Sequence, residues 1–167
     1  MPAITEFIFG PVSETEREAV IDLFNYYIEN SYAAFPEDKV PYGFFNLFLE
    51  ACQKYPSVAA RLPDGSLAGF GLLRAHNPMP AFERTAEVTY FIRPDLTGHG
   101  LGSEILARLE DEGRRRGIAT ILASISSLNE ASIRFHVHHG FSECGRFARV
   151  GMKKGMVFDT VWMQKFI

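Results

Sequence analysis

Between residues 94 and 103 the chain reads Pro-Asp-Leu-Thr-Gly-His-Gly-Leu-Gly-Ser, and no other stretch restricts the possible folds as strongly. Ahead of it, Glu87 to Arg93 is a β-branched and aromatic run that predicts a strand, which Pro94 ends because proline has no N–H to give a ladder. Behind it, Ile105, Leu106 and Leu109 share one face of a predicted helix. A strand must therefore run into a helix through a turn whose glycines, Gly98, Gly100 and Gly102, let the main chain approach a ligand closely. The first N–H groups of such a helix lack partners within it and carry the positive end of its dipole. A turn of this kind binds an anion, and a diphosphate suits it best. Ser103 stands where a dinucleotide fingerprint has its third glycine, and no lysine completes a P-loop, so dinucleotide and nucleoside triphosphate sites are disfavoured. Taken alone, the same glycines also fit a ligand-free softened turn.

The rest of the chain supplies the partners this strand and helix need. Ala3 to Phe9 predicts a first strand, ended by Gly10-Pro11. Ser13 and Glu16 form a capping box before a helix with Val20, Leu23, Phe24, Tyr27 and Ile28 on one face. A second helix covers Phe44 to Lys54, and Ser57 to Leu62 pairs with Leu67 to Leu73 across the turn signal Pro63-Asp64-Gly65. The helix after the glycine turn ends at Arg114-Arg115-Arg116, with Gly117 as a left-handed stop. Cations there complement the dipole, so a solvated helix end is weighed against a specific anion site. Ala119 to Ser126 is a strand, and Asn129 caps a short helix to His139. Glu143 to Val150 and Met156 to Lys165 close the chain as strands. The order β-α-α-β-β-β-α-β-α-β-β, with 47% hydrophobic residues, predicts a single domain over residues 1 to 167.

Several classes are excluded. A formal charge of −3 gives no broad attraction to phosphate backbones, so nucleic acid is not expected as a partner. No apolar run nears the roughly 20 residues that span a bilayer, and the N-terminus lacks a basic start, so no membrane partner and a cytoplasmic location are expected. Cys52 and Cys144 form no ligand pattern, and His136, His138 and His139 lack the accompanying spacing of a metal site; no metal is expected.

The segment Thr97 to Gly102 resembles the Q/R-x-x-G-x-G/A signature of the GNAT N-acetyltransferases, in the same strand-loop-helix position. Asn129 to Phe141 is similar to their N-x-x-S/A-x-x-x-(Tyr or His)-x-x-x-G-F block, with Asn129, Ser132, His136, Gly140 and Phe141 at the matching places. Val150 to Asp159 resembles the V-G-x-K-x-G-x-x-x-D of the phosphinothricin and methionine sulfoximine acetyltransferase branch, as do Thr85-Ala86-Glu87 and the Asn25 to Ser31 stretch. The resemblance implies an α/β (α+β) GNAT fold: a central mixed, mostly antiparallel sheet of about seven strands, splayed between the fourth and fifth, with about four flanking helices. It also implies acetyl-CoA as acetyl donor and a homodimer.

Carried over position by position, the resemblance places the cofactor against Thr97, Gly98, His99, Gly100, Leu101, Gly102 and Ser103, with Asn129 and Ser132 by the pantetheine arm. It places an oxyanion donor in the main chain around Phe91 and Ile92. An amine must lose its proton before attacking a thioester, and Glu87 is the expected general base. The alternative for Glu87 is a strand-face carboxylate paired with Arg84 or Arg93. His136 is either the proton donor to the leaving thiolate or a histidine packed on its helix, and His99 and Asn129 are equally open between cofactor contact and solvated loop or plain cap. Arg74, Arg84, Thr85 and Lys153 are the expected acceptor-binding residues. Two departures stand out: Thr97 replaces the signature's Arg or Gln, and His76-Asn77-Pro78-Met79-Pro80 stands where the branch has a Trp and a basic residue. They leave open a non-catalytic CoA-binding regulatory module, or an enzyme acting on a protein amine.

Overall fold

The computed structural model describes residues 6 to 167. Of the predicted first strand, residues 3 to 5 lie outside that range, and β1 is Ile8–Gly10. There follow α1 (Arg17–Asn30), α2 (Phe45–Lys54), β2 (Ser57–Arg61), β3 (Leu67–Ala75) and β4 (Thr85–Ile92). The chain continues through α3 (Leu101–Arg115), β5 (Thr120–Ser126), α4 (Glu130–His138), β6 (Ser142–Lys153) and β7 (Met156–Phe166). This is the element order read from the sequence. The capping box is present one turn early, before a 3-10 turn at Glu14–Glu16. The Glu16 carboxylate accepts from the Ser13 N–H at 2.6 Å and is also held by Arg61.

The strands form one seven-stranded sheet in the order β1-β2-β3-β4-β5-β7-β6. Every pairing is antiparallel except β4 with β5, which is parallel. That parallel pairing covers only Thr85↔Thr120, Ala86↔Ile121 and Glu87↔Leu122. Beyond Glu87 the two strands part, so the sheet splays where the resemblance implied.

Strand alternation divides the side chains between two cores. Leu73, Val88, Tyr90 and Ile92 pack with Ile105, Leu106 and Leu109 of α3 on one face. Phe70, Leu72 and Phe91 pack with α1 and α2 on the other. Gly71 lets α3 settle on β3, since a Cβ there would lie 2.6 Å from the Ile105 Cγ2. The three arginines closing α3 each pair with a carboxylate one turn earlier, at Glu110, Asp111 or Glu112, which makes the run a solvated helix end.

Candidate active site

A cavity of about 850 Å³ passes through the split between β4 and β5. Its wall on the α3 and α4 side includes Thr97, Gly98, Gly100, Leu101, Gly102 and Ser103. Gly98 and Gly100 have φ of +79° and +84°, left-handed values that cost a residue with a Cβ about 1–2 kcal/mol, so glycine at both sets the turn. Among the described residues, the N–H groups of Gly98 to Ser103 have no acceptor in the protein; the first amide of this turn to find one is Glu104, bonded to the Gly100 carbonyl. Six consecutive amides are thus left for a ligand, three of them at the start of a 15-residue helix. His99 is exposed and outside the cavity wall, and the Thr97 hydroxyl donates back to the Pro94 carbonyl at 3.0 Å, away from that turn.

The free edge of β4 extends the cradle. The Arg93 N–H donates to Ala68 on β3, so alternation turns the Phe91 and Thr89 amides toward β3 and those of Val88, Tyr90 and Ile92 into the split. Of the two positions expected to supply an oxyanion donor, Ile92 has its amide facing the split; the Phe91 amide is spent on the sheet, and its ring lines the cavity instead. The Ile92 carbonyl accepts from the Tyr27 hydroxyl at 2.6 Å. These residues fit an elongated ligand with a diphosphate at one end and amide groups along an arm.

Asn129 and Ser132 line the same side, and the Asn129 side chain accepts from the Ser132 N–H at 3.3 Å, so it caps α4 while facing the cavity. His136 is buried, and burial lowers its pKa to about 4, leaving a neutral ring. Its Nδ1 lies 2.7 Å from the Ser132 carbonyl, which can only accept, so the ring's single proton sits there. Nε2 therefore accepts, from the Tyr90 hydroxyl. Burial likewise pushes the Tyr90 phenol well above its ordinary pKa. With both nitrogens engaged, His136 has no free N–H for a leaving thiolate, and Tyr90, which the sequence did not single out, completes a neutral dyad in the wall. His139 is also newly placed: its Nδ1 bonds the Phe135 carbonyl at 2.7 Å and its Nε2 the Ser103 hydroxyl at 2.8 Å.

The opposite wall is built by α1, α2 and the segment 33 to 36, with Arg74 and Thr89 from the sheet. Glu87 is the last paired residue before β4 and β5 separate, and its side chain is only 12% exposed. It pairs with neither Arg84 nor Arg93. Cross-strand register sets Arg74 opposite it, with Arg74 Nη2 at 2.9 Å, and His76 Nδ1 lies at 3.1 Å from its other oxygen. Arg93 is taken by Asp95 at 2.6 Å, and Arg84 is exposed, its carbonyl accepting from Ala119. Neither Arg84 nor Thr85 reaches the cavity wall. Lys153 does not either: it is 1% exposed and its ammonium donates to the Ser31 and Ala34 carbonyls at 2.9 and 2.6 Å, anchoring the segment that lines the cavity. Of the four expected acceptor residues, only Arg74 faces the cavity. No group of three or more His, Cys, Asp or Glu among the described residues is placed to hold a metal ion.

A splayed mixed sheet with an amide cradle at the split defines an acyltransferase architecture, and comparison with known proteins agrees. Residues 20 to 141 match the acetyltransferase (GNAT) family, so the chain belongs to that family and is an acetyltransferase by descent. It is 27% identical to phosphinothricin N-acetyltransferase of Streptomyces coelicolor, over 99% of both chains. It is 34% identical to L-methionine sulfoximine/L-methionine sulfone acetyltransferase of Pseudomonas paraeruginosa, over 68% of this chain and 66% of that one. A Salmonella typhimurium structure solved with its cofactor acetyl-CoA superposes with a TM-score of 0.89 at 27% identity, over 97% of this chain and 94% of that one.

Proposed function

We propose that this chain, acting as one GNAT domain over residues 1 to 167, transfers the acetyl group of acetyl-CoA directly to the α-amine of a small amino acid or analogue. The observation that carries this reading is the Arg74–Glu87 pair, 2.9 Å apart, in which Arg74 lines the cavity and Glu87 lies just outside its lining, at the last β4–β5 pairing before the split. An amino acid presents a carboxylate and an ammonium on one carbon. Arg74 suits the first and Glu87 the second, and Glu87 is thereby set to take the ammonium proton. Acetyl-CoA, when bound, supplies an activated thioester. The amides of residues 98 to 103 would hold its diphosphate, the β4 edge with Asn129 and Ser132 would hold its arm, and the Ile92 N–H, free in the split, would supply a donor for the oxyanion of the reaction. His136 fixes Tyr90 by accepting a hydrogen bond from its hydroxyl and adds no charge to this wall. Neither Cys52 nor Cys144 lies in the cavity wall, which suits transfer without an acyl-enzyme.

Two further features belong to the same reading. We assign the partner as a second copy of the chain. The edge strand β6 is exposed over nearly its whole length, and with Met156 and Val157 it displays Phe147, Val150 and Met152, each 47–67% exposed. A patch of this kind is what a dimer interface covers. We assign the location as cytoplasmic: both cysteines are free, and among the described residues no helix is long and apolar enough to cross a membrane. The test is a panel of free amino acids and amines with acetyl-CoA, following thiol release and the mass of the product. Thiol release that needs an α-amino acid supports the reading. Cofactor binding with no release from any amine would turn it toward a regulatory CoA-binding module.

A further inference from the structure

We infer that the acceptor is an amino acid with a single anionic group and a large apolar, preferentially aromatic, side chain, not a doubly anionic one. This rests on the acceptor reading above and narrows it. Arg74 shares its side of the cavity with an apolar, aromatic lining: Phe24, Phe35, Phe44, Leu47 and Phe48 come from three separate segments of the chain. Phe24 is the hub of the aromatic group, with ring centroids of Phe44, Phe48 and Phe91 at 5.7, 5.7 and 5.4 Å. Phe35 and Leu47 remain 46% and 56% exposed, so part of this apolar surface is covered by nothing in the chain.

Charge decides between classes of occupant. Among the described residues of the wall, Arg74 is the only Lys or Arg. Lys153, the other cation nearest in prospect, is spent on two carbonyls, and the three wall histidines, His136, His138 and His139, sit on or just past α4 at the other end of the cavity. A substrate such as phosphinothricin brings a phosphinate besides its carboxylate. With one cation already matched to the carboxylate, the second anion would meet phenylalanine rings and at most a hydroxyl such as that of Thr89, with no second cation to offset its loss of water, which is costly. An apolar side chain in the same place gains by leaving water and offers ring faces and edges to the aromatic group. The Tyr27 hydroxyl cannot substitute as a donor, because it is committed to the Ile92 carbonyl.

The test uses the full chain with saturating acetyl-CoA and L-phenylalanine, L-leucine, L-glutamate and phosphinothricin as acceptors. The expected kcat/KM for phenylalanine is at least about tenfold above that for glutamate or phosphinothricin, the size of preference an apolar pocket gives. Calorimetry on the protein loaded with CoA should show the same order of affinities. Leu47→Arg, at a half-exposed position where folding is not at stake, should raise kcat/KM for the two dianions about tenfold and lower it for phenylalanine. Equal or better use of the dianions by the unaltered protein, or no change of order in Leu47→Arg, overturns this inference alone. Thiol release from none of the four, with CoA still bound, overturns the acceptor reading and this inference with it.

Discussion

Replacing Glu87 by Gln keeps the side chain's size and its place at the apex of the split while removing its capacity to take a proton. Stability should hardly move. The Arg74 partner is 48% exposed, and an ion pair of that kind contributes about 0–1 kcal/mol. Catalysis should suffer far more: a positioned general base is worth about 10²- to 10⁴-fold, or roughly 3–5 kcal/mol at about 1.4 kcal/mol per decade. The diphosphate cradle begins only at Gly98, and the β4 edge offers main-chain amides that the substitution leaves in place, so affinity for acetyl-CoA should stay within about twofold by calorimetry. Initial rates of thiol release, with the best amino acid of the panel, give kcat and KM separately. Arg74→Ala provides the contrast: it removes the carboxylate partner, so KM should rise about tenfold or more, with kcat lowered less. A Glu87→Gln enzyme with kcat within about threefold of the parent would remove Glu87 as the base and leave it as a strand-face carboxylate.

His136 should leave a mark on acid stability. Above pH 6.5 its ring is neutral in both folded and unfolded chains; below that the unfolded chain takes up a proton that the folded one refuses until about pH 4. Stability therefore falls as pH falls between these values, by at most about 1.4 kcal/mol per unit and on the order of 3 kcal/mol in all. Urea titrations of the parent and of His136→Gln should converge as pH is lowered from 7 to 5, and parallel curves would refute the burial of a neutral ring. Lys153→Met should cost roughly 2–3 kcal/mol by urea titration, because the Ser31 and Ala34 carbonyls lose a charged donor, and should raise KM for the acceptor more than it lowers kcat. Unchanged stability and KM would mean that the 31–34 segment holds itself.

What the sequence revealed and what it hid divide along the range of the interactions involved. The glycine cradle was legible because its causes are local: Pro94 ends a strand, glycines at 98 and 100 adopt left-handed values, and a helix begins at Leu101. The partners of Glu87 were not, since charges near in sequence, Arg84 and Arg93, look like its neighbours, whereas antiparallel register brings Arg74 opposite it from thirteen residues away. The Tyr90–His136 bond joins residues 46 apart and depends on α4 packing at the split, which no periodicity encodes. Lys153 belongs to a strand expected to stop at Val150. The strand runs on to Lys153 because its register with β7 shifts between Phe147 and Gly151, where Arg149 takes a φ of +56° and its N–H bonds Asp159.

β4 itself explains how donor and acceptor are kept apart in so small a site. Past Glu87 its main-chain groups at 88, 90 and 92 face the split in the plane of the sheet, while the side chains at 87, 89 and 91 rise toward α1 and α2. With the donor and acceptor placed as proposed, donor recognition along this strand would be a matter of backbone and tolerant of side-chain identity, whereas acceptor recognition would rest on the odd-numbered side chains. A strand built this way can change its acceptor through 87, 89 and 91, or through facing residues such as Leu47 and Phe48, without disturbing the grip on a common acyl carrier.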